Sequence, residues 1–171
     1  MMKRLYIIRH AKSSWAQPGS SDIDRSLNDR GNEQVKLLDA WMQRYDSKIE
    51  RVICSPARRT QETLLGIRGN FSNASISFID DLYNGEMDTY LFHLMEHKAD
   101  RVVIIGHNPT CDELTRYLTS PSSPAAEKLM ANHFGTGTIA VLDFDGTCWR
   151  EIGKSSCQLV DLISPKELEQ V

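Results

Sequence analysis

Three short, predominantly apolar runs limit what this chain can fold into. They are Leu5-Tyr6-Ile7-Ile8, Arg51-Val52-Ile53-Cys54 and Val102-Val103-Ile104-Ile105. Runs this short and this rich in β-formers suit strands buried on both faces, as in a parallel sheet covered by helices. A fourth run, Ile76-Ser77-Phe78-Ile79, alternates and carries less apolar weight. Between the first two runs, Val35, Leu38, Trp41, Met42 and Tyr45 fall on one helical stripe, with Asn28 ahead of them as N-cap. A strand, a helix and a second strand imply a parallel crossover.

Ser55-Pro56 and Asn108-Pro109 each follow a strand run directly and place a capping residue before proline, predicting two further helix starts. Residues 87 to 97 read as another helix, and Ser120-Pro121-Ser122-Ser123-Pro124 as the loop that ends the helix opened at Asn108. Near the C-terminus, Thr138 to Phe144 and Thr147 to Ile152 flank Asp145-Gly146, a pair that favours a tight hairpin. The expected fold is α/β: a three-layer α/β/α sandwich on a mostly parallel sheet with an antiparallel C-terminal edge. A length of 171 residues suits one domain spanning 1–171.

Composition removes several classes of function. A formal net charge of -3 gives no global attraction to nucleic acid or to an anionic membrane surface, so any anion site must be local. Cys54, Cys111, Cys148 and Cys157 are scattered without a C-x-x-C pair, which argues against a disulfide framework and a thiolate metal site. Leu5 to Ile8 is too short for a signal-peptide core, and no uncharged stretch approaches membrane-spanning length. A cytoplasmic protein is expected.

In open parallel sheets the ligand crevice lies beyond the carboxyl ends of the strands. Arg9-His10 follows the first run, Ser55-Pro56-Ala57-Arg58-Arg59 the second, and Gly106-His107-Asn108-Pro109 the run at 102–105. Two histidines and at least two arginines therefore share one rim. Helix N-termini opening there favour an anion, and guanidinium forks match phosphate oxygens in pairs, so Arg9 and Arg59 are candidates to hold a phosphoryl group. A histidine beside such cations stays neutral and nucleophilic, and His10 could accept the phosphoryl group on nitrogen.

These residues resemble the histidine phosphatase superfamily, whose signature is an apolar strand ending in R-H-G, a later S-P-x-x-R and a second histidine after another strand. The matches are Arg9-His10-Ala11, Ser55 to Arg59, and His107 after Ile105-Gly106, with Leu27-Asn28-Asp29-Arg30-Gly31 resembling the segment that opens the first helix. The Arg-His-Ala-Lys-Ser-Ser-Trp run and Asp24-Arg25-Ser26-Leu27-Asn28 are most similar to SixA-type phosphohistidine phosphatases. The resemblance implies a tetrad of Arg9, His10, Arg59 and His107, with His10 phosphorylated and then hydrolysed by water, and no metal or cofactor. S-P-x-x-R selects Arg59 over its neighbour Arg58. Ser13 matches a frequent phosphate-binding hydroxyl position, and Ala11 in place of glycine implies a turn with negative φ. Ala16 replaces an asparagine carried by many relatives with ester substrates. The glutamate acid of larger relatives would fall near Asp81, with Glu86 the second candidate. A weak acid position favours phosphoramidates, whose imidazole leaves readily. The implied partner is a phosphorylated protein carrying phosphohistidine, or otherwise a small phosphorylated metabolite.

Two motifs point elsewhere. Asp143-Phe144-Asp145-Gly146-Thr147 matches the D-x-D-G-T of phosphatases with an aspartate nucleophile, but only a short tail follows it. His93-Leu94-Met95-Glu96-His97 matches H-x-x-E-H, although Leu91, Leu94 and Met95 claim the apolar stripe there. A non-catalytic phosphate-binding protein would display the same residue types as the enzyme.

Overall fold

The computed structural model describes residues 2–15, 17–45 and 48–170, so Ala16 lies outside the described residues. In chain order the elements are β1 (Met2–Arg9), α1 (Asp29–Arg44), β2 (Arg51–Cys54), α2 (Arg58–Ile67), β3 (Ser75–Phe78), α3 (Met87–Met95) and β4 (Arg101–Gly106). They continue with α4 (Thr110–Leu118), α5 (Ala126–Ala131), β5 (Ile139–Asp145), β6 (Cys157–Ile163) and α6 (Pro165–Leu168). The sheet order is β3-β2-β4-β1-β5-β6. Strands β3, β2, β4 and β1 run parallel, and β5 and β6 are antiparallel additions beside β1.

Each central strand is apolar on both faces because each face is covered. Leu5, Ile7, Val102 and Ile104 join Leu91, Leu94, Leu114 and Leu118 of α3 and α4 on one side. Tyr6, Ile8, Val103 and Ile105 join Val35, Leu38, Met42, Leu64 and Ile67 of α1 and α2 on the other. Burial of each such aliphatic side chain contributes roughly 1.5–3 kcal/mol. The expected three-layer α/β/α sandwich with an antiparallel edge is what forms. Asn28 caps α1 as predicted, its Oδ1 accepting from the Gly31 amide at 2.8 Å.

The order matters more than the layers. The chain leaves β1 through α1 and returns at β2, leaving a gap that β4 later fills. Arg9 is thereby paired with Gly106, and Cys54 with Ile105, so three strands end at one level. The His10 amide donates to the Gly106 carbonyl at 3.1 Å, and the Ser55 amide to Ile105 at 3.0 Å.

Three local expectations differ from the structure. The partner of β5 is β6, 157–163, rather than 147–152. Residues 147–152 instead hold a single 3-10 turn at Trp149–Glu151. Trp149 is fully buried, stacked on Phe144 at 6.0 Å, and its indole donates to the Ala99 carbonyl at 2.7 Å, so its apolar surface is satisfied without a strand. The helices after β2 and β4 begin at Arg58 and Thr110, two residues and one residue later than expected, because Ser55 and Asn108 are used elsewhere. Ser55 Oγ meets His107, and the Asn108 amide donates to the Phe134 carbonyl at 2.8 Å. Helix α3 ends at Met95 rather than at 97, which takes His97 off the helix.

Candidate active site

His10 stands one residue beyond β1 and is 6% exposed. Its Nδ1 lies 2.7 Å from the Ala11 carbonyl. A carbonyl can only accept, so Nδ1 carries the proton and Nε2 keeps the lone pair. Burial first, and then the charges of Arg59 and Arg9, push the imidazole down to about 4, outweighing the Ala11 hydrogen bond. The ring is thus a neutral base and nucleophile at neutral pH.

The loop that carries His10 is fastened from several sides. The Ala11 amide donates to Thr63 Oγ1 at 3.0 Å, and that hydroxyl donates to the Arg59 carbonyl at 2.7 Å, tying the loop to α2. Gly137 approaches from the far side at φ +72, and its amide reaches the carbonyls of Arg9 and His10 at 3.1 and 3.0 Å. A positive φ at this contact favours glycine. Ala11 is fully buried and is not among the residues with positive φ, as its Cβ requires.

His107 follows β4, with its ring centroid 5.4 Å from that of His10. Its Nδ1 lies 3.4 Å from Arg59 Nη2, and its Nε2 lies 2.7 Å from Ser55 Oγ. Guanidinium only donates, so Nδ1 accepts and Nε2–H donates to the serine. Burial, then the nearby His10 and Arg59, push His107 down to about 3. Its amide is fixed by the Tyr90 hydroxyl at 3.1 Å, which in turn donates to the Leu82 carbonyl at 3.1 Å.

Two guanidinium groups complete the cluster. Arg59 is 5% exposed and leaves α2 toward His107, while Arg9 donates to the Phe134 carbonyl at 3.2 Å. Burial lowers Arg9 from its ordinary value, with Arg59 acting in the same direction. Each arginine has a buried Nε without a hydrogen-bond partner among the described residues. Buried donors left open in this way suit an anionic guest. The structure therefore brings Arg9, His10, Arg59 and His107 together at the ends of β1, β2 and β4.

The remaining candidates separate. Ser13 lines a cleft of about 220 Å³ together with Arg9 and His10. Arg58 turns outward and pairs with Glu62 at 2.8 Å. Asp81 is 70% exposed in its side chain, pairs with His93 at 3.2 Å, and lines neither cleft beside the histidines. Glu86 lines a second cleft, of about 590 Å³, that opens beside His107. His93 is committed to Asp81, and Asp143 of the D-x-D-G-T run is gripped by Arg4 at 2.6 and 2.8 Å. That run ends opposite Met2, at the other end of the sheet from His10.

Asp22 and Tyr83 escaped the sequence reading. Asp22 Oδ2 accepts from Arg59 Nη2 at 3.2 Å and from the Tyr83 hydroxyl, and Oδ1 accepts from Arg25 at 3.0 Å. The tyrosine hydroxyl, then Arg59 and Arg25, hold this carboxyl below its ordinary value, so Asp22 stays ionised. Neither residue follows a strand run, and the only hint was the position of Asp22 just ahead of Asp24-Arg25-Ser26-Leu27-Asn28.

Known proteins share much of this sequence and this fold. A family model of the histidine phosphatase superfamily (branch 1) matches residues 5–91. An uncharacterised protein of Mycobacterium leprae is 30% identical over 93% of this chain and 100% of its own length. Phosphohistidine phosphatase SixA of Escherichia coli is 28% identical over 83% of this chain and 86% of its own. Among solved structures, the protein of Nakamurella multipartitia assigned as a SixA phosphohistidine phosphatase superposes with TM-score 0.83 at 28% identity, covering 96% of this chain and 97% of that one. By its motif, its fold and these relatives, the chain belongs to the histidine phosphatase superfamily, in the SixA-type branch.

Proposed function

We propose that the protein is a metal-independent phosphatase that works through phospho-His10, and that its substrate is phosphohistidine on a protein. The observation that carries this reading is the state of His10: neutral, with Nδ1–H spent on the Ala11 carbonyl and Nε2 left as the nucleophile among Arg9, Arg59 and His107.

In the first step the His10 Nε2 lone pair forms the bond to phosphorus while the bond to the substrate's imidazole nitrogen breaks; that nitrogen keeps the bonding pair, and the imidazole leaves neutral because its other ring nitrogen already carries a proton taken from solvent. In the second step a water oxygen forms the new bond to phosphorus as the Nε2–phosphorus bond breaks and its pair returns to Nε2, and the water protons leave with the inorganic phosphate. Arg9, Arg59 and His107 neutralise the charge on the phosphoryl oxygens, and fixed donors of this kind are worth about 3–4 kcal/mol each in a water-poor site. A bound dianion also raises His107 toward its donor form, reversing the direction set in the free site.

Leaving-group chemistry supports phosphohistidine over an ester. An alkoxide needs a positioned acid, and the carboxyl paired with Arg59, Asp22, is held ionised. Asp81 is turned to solvent beside His93. The open rim, where Trp15 is 86% exposed, suits a side chain presented on a macromolecule. No helix among the described residues is long and apolar enough to cross a membrane, and the four cysteines are unpaired, in keeping with a reducing cytoplasm.

The test compares turnover of a phosphohistidine protein with a panel of small phosphate esters. The phosphohistidine protein is expected to give a kcat/KM at least about a hundredfold higher. A sugar or alkyl phosphate turned over as well as the protein would overturn the substrate assignment.

A further inference from the structure

The two clefts that meet at the histidine pair differ in charge. Beyond His107 the wall carries Glu86, Asp88 and Glu113 and no basic side chain other than the histidine itself. Beyond His10 the wall carries Arg9, Lys12 and Arg25 and no carboxylate among its lining residues, with Trp15 at its rim. Arg9 belongs to the phosphoryl pocket already described. Lys12 and Arg25 are left over, because neither is needed to hold three phosphoryl oxygens.

The two cations stand ready to different degrees: Arg25 already shares its charge with ionised Asp22, and Lys12 does not. Arg25 is oriented before anything binds: its Nη1 donates to the Ser14 carbonyl at 3.0 Å and its Nε to Asp22 Oδ1 at 3.0 Å, leaving it 20% exposed in its side chain. Lys12 has its backbone fixed on both sides, the amide donating to Gln34 at 2.8 Å and the carbonyl accepting from Asn28 at 3.1 Å. Its ammonium makes no ion pair among the described residues. A fixed loop thus presents one preoriented cation and one unpaired cation to a cleft that starts at the nucleophile.

We infer that Lys12 and Arg25 form a second anion subsite, which takes a carboxylate carried by the substrate close to its phosphoryl group. On a protein substrate this is an aspartate or glutamate beside the phosphohistidine. The acidic wall beyond His107 repels the same group, so the two walls together fix the direction in which the flanking segment lies across the site. The inference rests on the phosphoryl-binding reading of the His10 pocket. Because Lys12 faces solvent, the preference for an acidic flank weakens as salt rises.

A binding test that requires no turnover separates this subsite from the proposed substrate. Ethylphosphonate and 3-phosphonopropionate differ by one carboxylate, and their affinities are measured by calorimetry against the wild-type protein, Lys12→Gln and Lys12→Glu. The carboxylate is expected to tighten binding at least fivefold in the wild type, about twofold in Lys12→Gln, and not at all in Lys12→Glu. Equal affinities in the wild type, no binding of either phosphonate, or a preference that survives Lys12→Glu would overturn the subsite. In a second arm, phosphohistidine peptides flanked by Glu, Gln or Lys are compared by kcat/KM. Wild type should favour Glu over Lys by about tenfold, and Lys12→Glu should reverse the order. Failure to hydrolyse any of the peptides would remove the phosphohistidine reading while leaving the phosphonate comparison to judge the subsite.

Discussion

His10 gains its reactivity from a single carbonyl. The hydrogen bond from Nδ1–H to Ala11 fixes both the tautomer and the direction of the lone pair, and burial among arginines keeps the ring from protonating. A titration of the histidine ring nitrogens by NMR should therefore find His10 as the Nδ1–H tautomer, neutral down to a midpoint near 4. A midpoint near the ordinary value of about 6.5 would contradict the environment described for it. At this scale the sequence is informative where chemistry follows a strand: Arg9, His10 and His107 stand out from what succeeds an apolar run, whereas Arg59 is separated from Arg58 only by the S-P-x-x-R of the family resemblance. Asp22 and Tyr83 do not stand out. They reach Arg59 from a 3-10 turn and from the residue after another, and contacts made through folding rather than through neighbouring positions leave no local pattern to read.

Elements position these side chains by close approach as much as by hydrogen bonding. The first turn of α1 lies against the loop after β1, and a Cβ on Gly31 would come within 2.0 Å of the Lys12 carbonyl oxygen. Gly31→Ala must therefore push the loop or the helix, costing about 1–3 kcal/mol of stability. Because the displaced backbone lies two residues from His10, kcat/KM should fall with it, by about tenfold or more. Urea unfolding and turnover measured on the same variant check both effects, and an unchanged midpoint and rate would contradict the contact. Element positions were legible wherever periodicity was clean, as in α1 with its Asn28 cap and the strands at 51–54 and 102–105. The expected hairpin rests on the tight-turn pair Asp145-Gly146, with the apolar Trp149 and Ile152 just beyond it, yet these two are core residues at a 3-10 turn. Strand β6 carries its alternation farther along, after Gly153, where no tight-turn pair announced it.

The whole molecule carries the cost of keeping two histidines neutral inside it. In the folded protein His10 and His107 titrate at about 4 and about 3, whereas in the unfolded chain both titrate near about 6.5. Below that ordinary value the unfolded chain takes up protons that the folded protein refuses, so stability falls as pH drops from about 6.5 toward 4. The slope is up to about 1.4 kcal/mol per pH unit for each histidine. Above about 7 the two groups contribute no slope, since both states are neutral. Urea midpoints measured from pH 7 to pH 4.5 should decline in the wild type and less steeply in His10→Gln. An equal decline in the two proteins would show that His10 is not the source.

The fold itself supplies the convergence on which the chemistry depends. Strand β4 inserts between β1 and β2, which brings three loops from distant parts of the sequence to one level of the sheet. This convergence makes His10 a covalent nucleophile. That role is tested most directly by mixing the protein with ³²P-labelled phosphohistidine substrate, quenching in alkali within milliseconds, and mapping the label. Acid-labile, alkali-stable label is expected on the peptide containing His10 in the wild type, and none in His10→Ala. Release of phosphate at the wild-type rate with no label on His10, or undiminished turnover by His10→Ala, would contradict it.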